Sequence, residues 1–183
     1  MIAAAYFVAM QSSGFSPVVA AGARVLVLGS LPGALSLARQ EYYAQPQNGF
    51  WPIMGDLVGA TPALPYARRL ERLTASGIAL WDVCASGFRP GSLDSAILSA
   101  SVVPNDFSRF LAEHPGIGLI CFNGGKAASL FTRRVLPALP GRLPDITRTV
   151  LPSTSPAHAA MRPQEKLRLW RQALEHGGVV FRK

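Results

Sequence analysis

Four short apolar runs constrain this chain more than anything else in it: RVLVLG at 24–29, IALWDV at 78–83, IGLICFN at 117–123 and RTVLP at 148–152. Each is nearly continuous rather than alternating, as expected of strands covered on both faces. Helical patterns separate them. In 64–76, Tyr66, Leu70 and Leu73 share a face between Pro65 at the start and Gly77 at the stop. The span 105–113 is short and ends at His114-Pro115, while 125–136 follows the third run directly. In 163–176, Leu167, Trp170 and Leu174 line up away from Arg168, Arg171 and Glu175. Strands alternating with helices predict a three-layer α/β/α domain around a central, mainly parallel four-stranded sheet.

The segments after the four runs are alike in being small, polar or turn-forming. They are Gly29, Ser30, Leu31, Pro32 and Gly33; then DVCAS at 82–86; then Asn123-Gly124-Gly125; then Pro152, Ser153, Thr154, Ser155 and Pro156. In open α/β sheets the ligand site forms outside the carboxyl ends of the strands. Four polar turns on one rim therefore predict a site there.

Composition bounds the rest. At 183 residues and 49% hydrophobic, the chain suits one folded domain rather than a disordered one. We find no internal repeat or dividing linker, and no apolar run reaches the roughly 20 residues of a membrane helix. The opening MIAAAYFVAM has no basic n-region and is expected, within 1–13, to be a loosely ordered extension to a single domain at 14–183. Cys84 and Cys121 lie in apolar runs and read as buried free thiols in a reducing cytoplasm. Charge is one-sided. Residues 1–123 carry seven basic and seven acidic side chains, against 11 and 3 in 124–183, so the whole net charge of +8 lies in the second part. Such a field suits a polyanionic partner, although an arginine-rich composition alone would produce it too.

Several common sites are missing. There is no G-x-S-x-G elbow and no G-x-G-x-x-G after a strand. GGKA at 124–127 lacks the first glycine and the magnesium-binding hydroxyl of a phosphate loop. His114, His158 and His176 show no metal-ligand spacing. A rim of backbone amides, side-chain amides and hydroxyls remains, suited to a neutral heterocycle and phosphates and to electrostatic catalysis.

Four motifs in order carry a resemblance: GSLPG…YYAQPQNGFWPIMG, ALWDVCAS…GSLDSAI, CFNGGKA and LPSTSPAHA. Together, from about Gly14 to Trp170, they resemble the uracil-DNA glycosylase superfamily and, within it, the hypoxanthine-DNA glycosylase family. The resemblance implies a monofunctional enzyme that flips a deaminated base (hypoxanthine first, uracil second) from DNA and hydrolyses its N-glycosidic bond without metal or cofactor. It implies DNA as the partner and a monomer acting in the cytoplasm at the nucleoid. It makes Asn48 and Asn123 the catalytic amides and Tyr43 the platform on which the base stacks. Gln45, Phe50 and the turn of Gly29, Ser30, Leu31, Pro32 and Gly33 would complete the base pocket. Ser153, Thr154, Ser155, Pro156 and His158 would grip DNA, with phosphate contacts from several of Arg133, Arg134, Arg162, Lys166 and Arg168. Gln45 stands where the family has histidine and His158 where it has asparagine.

Plainer readings exist for single residues. Asn48 would serve as a cap for the helix beginning FWPIMG, Asn123 is a common turn residue, and Asp82 would bond nearby backbone at its strand end. A non-catalytic or differently catalytic nucleic-acid-binding domain on the same fold is the alternative for the whole chain.

Overall fold

The computed structural model describes residues 11–91, 93–139 and 146–181. In chain order these form β1 (Gln11–Ser13), β2 (Val25–Gly29), α1 (Ala34–Arg39), α2 (Phe50–Val58), α3 (Tyr66–Ala75), β3 (Ile78–Asp82) and β4 (Cys84–Phe88). They continue through β5 (Val103–Pro104), α4 (Phe107–Glu113), β6 (Leu119–Asn123), α5 (Gly125–Leu130), β7 (Thr147–Leu151) and α6 (Pro163–His176). The main sheet has the order β3-β2-β6-β7 with every pairing parallel. Helices cover both faces, so the expected three-layer architecture is what forms.

Alternate residues of the central strands feed two cores. Leu26, Leu28, Trp81, Ile120 and Phe122 meet Phe107, Phe110 and Phe131 on one face. Val25, Val27, Leu80 and Cys121 meet Phe50, Trp51, Met54, Leu57 and Trp170 on the other. This double burial makes the strands read as unbroken apolar runs. The fourth run is different: β7 is an edge strand, and unlike β3 at the other edge it is covered little, only Leu151 of its five residues being buried. Its apolar letters reflect β propensity more than coverage.

A second sheet, β1-β4-β5, is antiparallel. Gln11, Ser12 and Ser13 pair with Phe88, Gly87 and Ser86. The part of the expected loose extension at 11–13 is therefore a strand, while 1–10 lie outside the described residues. The helix expected over 125–136 is α-helical to Leu130, then widens into a π turn over Phe131–Val135 and tightens into 3-10 geometry over Leu136–Ala138. Both cysteines are buried free thiols, each pushed up to about 12 by burial. No helix among the described residues is long and apolar enough to cross a membrane.

The strand order also locates the site. From β2 the chain steps to β3 on one side and later to β6 on the other. The order therefore reverses between β2 and β6, where a crevice opens at the carboxyl ends.

Candidate active site

A cleft of about 510 Å³ occupies that crevice. It is lined by the turns after β2, β6 and β7, by Asp82 at the end of β3, by residues of the 42–48 segment, and by Arg89 and 93–95. Every residue expected at the site lines it except Phe50. Phe50 is fully buried. The phase of α2 turns it into the core, where its ring packs 4.1 Å, centroid to centroid, behind Tyr43. It supports the platform and does not face the cleft.

Tyr43 has φ +54°, a left-handed conformation that costs a bulky residue of order 1–3 kcal/mol and is characteristic of functional sites. Neighbouring bonds hold the segment. Ala44 N–H donates to Ser36 Oγ of α1 at 3.2 Å, Tyr42 N–H donates to Tyr66 Oη at 2.9 Å, and Trp51 Nε1 donates to the Tyr42 carbonyl at 2.9 Å. Gln45 is exposed at the cleft wall, and its carbonyl accepts from Asn48 N–H at 2.8 Å.

Asn48 Oδ1 accepts from Phe50 N–H at 3.0 Å, an Asx turn that leads the chain into α2. The cap-like reading of Asn48 is thus physically present, and it fixes the amide in the cleft wall. The carbonyl oxygen keeps a second lone pair. Asn123, the last residue of β6, is held from both ends of its amide. Its Nδ2 donates to Thr154 Oγ1 at 2.8 Å, and its Oδ1 accepts from Thr154 N–H at 2.9 Å. Thr154 is 2% exposed, so this residue of the expected DNA-gripping loop is instead the inner brace of Asn123. Gly124, with φ +99°, lets the chain turn against Ser153 there.

The structure adds acidic and basic groups, of which the sequence reading placed only Asp82 at the rim, as the start of one polar turn and with no chemical role. Asp82, at the end of β3, is 3% exposed and lines the floor. Oδ2 of this carboxylate, expected to bond nearby backbone, makes no hydrogen bond of ordinary geometry among the described residues. Burial, then the nearby Asp94 carboxylate, push Asp82 up to about 7, with Arg89 and the Tyr42 hydroxyl pulling the other way. Arg89 is itself buried and straps the β2 turn from beneath. It donates to the Leu31 carbonyl at 2.9 Å and to the Pro32 carbonyl, and its guanidinium lies 3.7 Å from Asp94. Ser30 Oγ donates to Asp94 Oδ1 at 2.7 Å. The signal for Asp82 was its place at a strand end; nothing in sequence spacing brings Arg89 and Asp94 to that turn.

The 152–158 loop forms the opposite wall. Ser155 N–H donates to Ser153 Oγ at 3.2 Å and Ala157 N–H to Ser155 Oγ at 3.3 Å. Pro156 and His158 are exposed. Lys166, expected among the phosphate-contacting cations, is instead buried beneath this loop, where its Nζ donates to the carbonyls of Ser153 and His158 at 2.8 and 2.7 Å. Among the described residues no cluster of three metal-ligating side chains forms. The cleft thus offers a strained aromatic, two positioned amides and a buried carboxyl to a flat polar ligand.

A family model described as the uracil DNA glycosylase superfamily matches residues 16–176. A hypoxanthine DNA glycosylase of Methanosarcina barkeri (strain Fusaro / DSM 804) is 38% identical over 119 residues, spanning 64% of this chain and 74% of that protein. A protein of the same name from Methanosarcina acetivorans is 37% identical over 141 residues, spanning 72% and 88%. The solution NMR structure of a Methanosarcina acetivorans protein, described as a candidate uracil DNA glycosylase, superposes with a TM-score of 0.71. That protein is 34% identical, and the match covers 90% of this chain and 99% of that one.

Proposed function

The chain belongs to the uracil DNA glycosylase superfamily and is a DNA glycosylase, a hydrolase of N-glycosyl bonds; from that premise we propose that it excises deaminated bases, hypoxanthine first and uracil second. One observation carries the reading: Tyr43, Asn48 and Asn123 meet at a single cleft on the carboxyl rim of the sheet. The names of the two Methanosarcina relatives support hypoxanthine as the leading substrate.

A base stacked in a duplex hides its glycosidic bond, so the enzyme extrudes the nucleotide at a cost of a few kcal/mol. Stacking on the Tyr43 ring offsets roughly 1–3 kcal/mol of this. Hypoxanthine and uracil both present a carbonyl beside an N–H, and a side-chain amide offers the matching donor and acceptor. Asn123, braced by Thr154, keeps its second Nδ2–H for that edge. Water attacks C1′ while the bond electrons leave with the base. The free lone pair of Asn48 Oδ1 orients this water, because an amide is too weak a base to take its proton early. Ser153, Ser155, Pro156 and His158 meet the DNA backbone beside the extruded nucleotide. The protein acts as a monomer on DNA containing deaminated bases, in the cytoplasm at the nucleoid.

The test is a two-lesion assay. Purified protein in EDTA-containing buffer is incubated with oligonucleotides carrying deoxyinosine or deoxyuridine, and abasic sites are then cleaved with alkali. Cleavage at deoxyinosine exceeding that at deoxyuridine is expected. No cleavage of either, in single strands or duplexes, overturns the proposal; binding to lesion DNA without base release would leave a non-catalytic nucleic-acid-binding domain instead.

A further inference from the structure

A group of buried polar atoms on the cleft floor has no part in the mechanism above. Asp82 Oδ1 presses against Gly29 so closely that a Cβ there would come within 2.4 Å of it and 3.3 Å of Tyr43 Oη. Only glycine admits the carboxyl at this point. Asp82 Oδ2 and the hydroxyls of Tyr42 and Tyr43 are buried and make no hydrogen bond of ordinary geometry among the described residues, although the Tyr42 hydroxyl lies beside Asp82 and the Tyr43 hydroxyl beside Asn123. Meanwhile Thr154 takes one Nδ2–H and one lone pair of the Asn123 amide, and Phe50 N–H one lone pair of Asn48 Oδ1. Buried polar groups are almost always paired. A loosely paired set carried by residues that line a cleft is a place where a ligand supplies better partners.

Building on the glycosylase reading, we propose that Asp82 is a further catalytic residue, whose neutral carboxyl donates a hydrogen bond to the departing base. The bond from C1′ to the base nitrogen breaks and its electron pair goes to the base. The water oxygen bonds to C1′, and the proton released from water ends on the base. Asp82 keeps its own proton throughout. Negative charge builds on the base during the step, so an O–H donor stabilises the transition state and an ionised carboxylate opposes it.

The surroundings favour the neutral form. Burial acts first and Asp94, on the neighbouring 3-10 turn at Asp94–Ala96, second; Arg89, just past β4, and the Tyr42 hydroxyl oppose them. Tyr43, Tyr66 and Cys84, whose ionisation the Asp82 charge disfavours, hold their protons, and Lys126 at the start of α5 is a further cation of the cleft. Burial, with Asp94 behind it, pushes the carboxyl up to about 7. Since the working form is the protonated one, the chemical step weakens as pH rises through that value.

Single-turnover excision from a deoxyinosine duplex, with enzyme saturating and pH varied from about 5.5 to 8.5, tests this. The wild-type rate constant is expected to fall above neutrality, approaching about tenfold per pH unit. Asp82→Asn keeps a donor and an acceptor but cannot ionise; it should retain excision within roughly tenfold of wild type at pH 6 and lose the alkaline decline. Asp82→Ala should lose roughly 10²-fold or more while still binding lesion DNA. A wild-type rate that rises through neutrality, with Asp82→Asn inactive, would instead make Asp82 a base for the water and overturn the proposal. So would an Asp82→Ala variant with unchanged rate and pH profile. Should Asp82→Ala not fold, the near-isosteric Asp82→Asn profile decides alone. Absence of excision by the wild type on both lesions removes the parent reading and this inference together, an outcome distinct from the others.

Discussion

At the scale of single residues, Asn48 carries two jobs that substitution can separate. Its Oδ1 receives Phe50 N–H and starts α2, while the same amide faces the cleft. Serine makes a similar but weaker turn bond and has no amide to orient water or assist the base. Asn48→Ser is therefore expected to lower stability by less than about 1 kcal/mol while cutting single-turnover excision by roughly 10²-fold. Denaturant melts and rate constants measured on the same preparation check both parts. Equal excision by the serine variant would reduce Asn48 to a turn residue. The pairing of Asn123 with Thr154 was invisible by comparison, because a β6 end and a loop beyond β7 lie 31 positions apart. Phe50 shows the opposite failure. Its place beside Asn48 drew it into the pocket on paper, and only the phase of α2 decides that it points to the core.

At the scale of elements, the four main strands were legible as short, nearly continuous apolar runs and α6 by its apolar periodicity. The parts that were not legible lack that signal. β4 reads CASGF, with small residues and a bulge near Ser86, and β5 has two residues. α1 is a six-residue helix whose use is to place Ser36 Oγ under Ala44. The site's outline was legible as four polar turns, while its acidic floor was not, since Asp82, Arg89 and Asp94 converge only after β3 and β4 fold back on the β2 turn. Lys166 exemplifies a local charge count misread by burial. It sits on α6, it is 8% exposed, and burial pulls its pKa down. Its role is to tie α6 to the 152–158 loop through two carbonyls. Lys166→Met keeps the apolar stem and removes both bonds. Each unpaired carbonyl costs about 1–3 kcal/mol if it stays buried, so the loop is expected to loosen before the sheet does. Faster hydrogen exchange confined to residues around 153–158, together with weaker binding of lesion DNA, is the expected result. Unchanged exchange in that loop would show that the ammonium does not hold it.

At the scale of the whole molecule, the distribution of ion pairs matters more than the net charge. Among the described residues, all four ion pairs involve side chains between Glu41 and Glu113. The basic excess of 124–183 is left uncompensated: Arg133, Arg148, Arg162 and Arg168 are exposed and in no ion pair there. Arg162 and Arg168 lie on the α6 side of the loop that walls the cleft, and Lys126 lies within the cleft. A field of one sign around a cleft concentrates a polyanion and orients its backbone across the opening. Release of counterions then makes affinity depend on salt, with a slope near −0.9 for each duplex phosphate neutralised. If about four phosphates are engaged, the slope is about −3.6 and affinity falls roughly 10²-fold between 50 and 200 mM salt. Fluorescence anisotropy with an undamaged duplex reads this directly, since phosphate contacts carry no lesion information. Replacing Arg162 and Arg168 together by alanine should make the slope shallower by about 2 without altering single-turnover excision once the DNA is saturated. A slope near zero for the wild type would mean that the second half's charge serves something other than the DNA backbone.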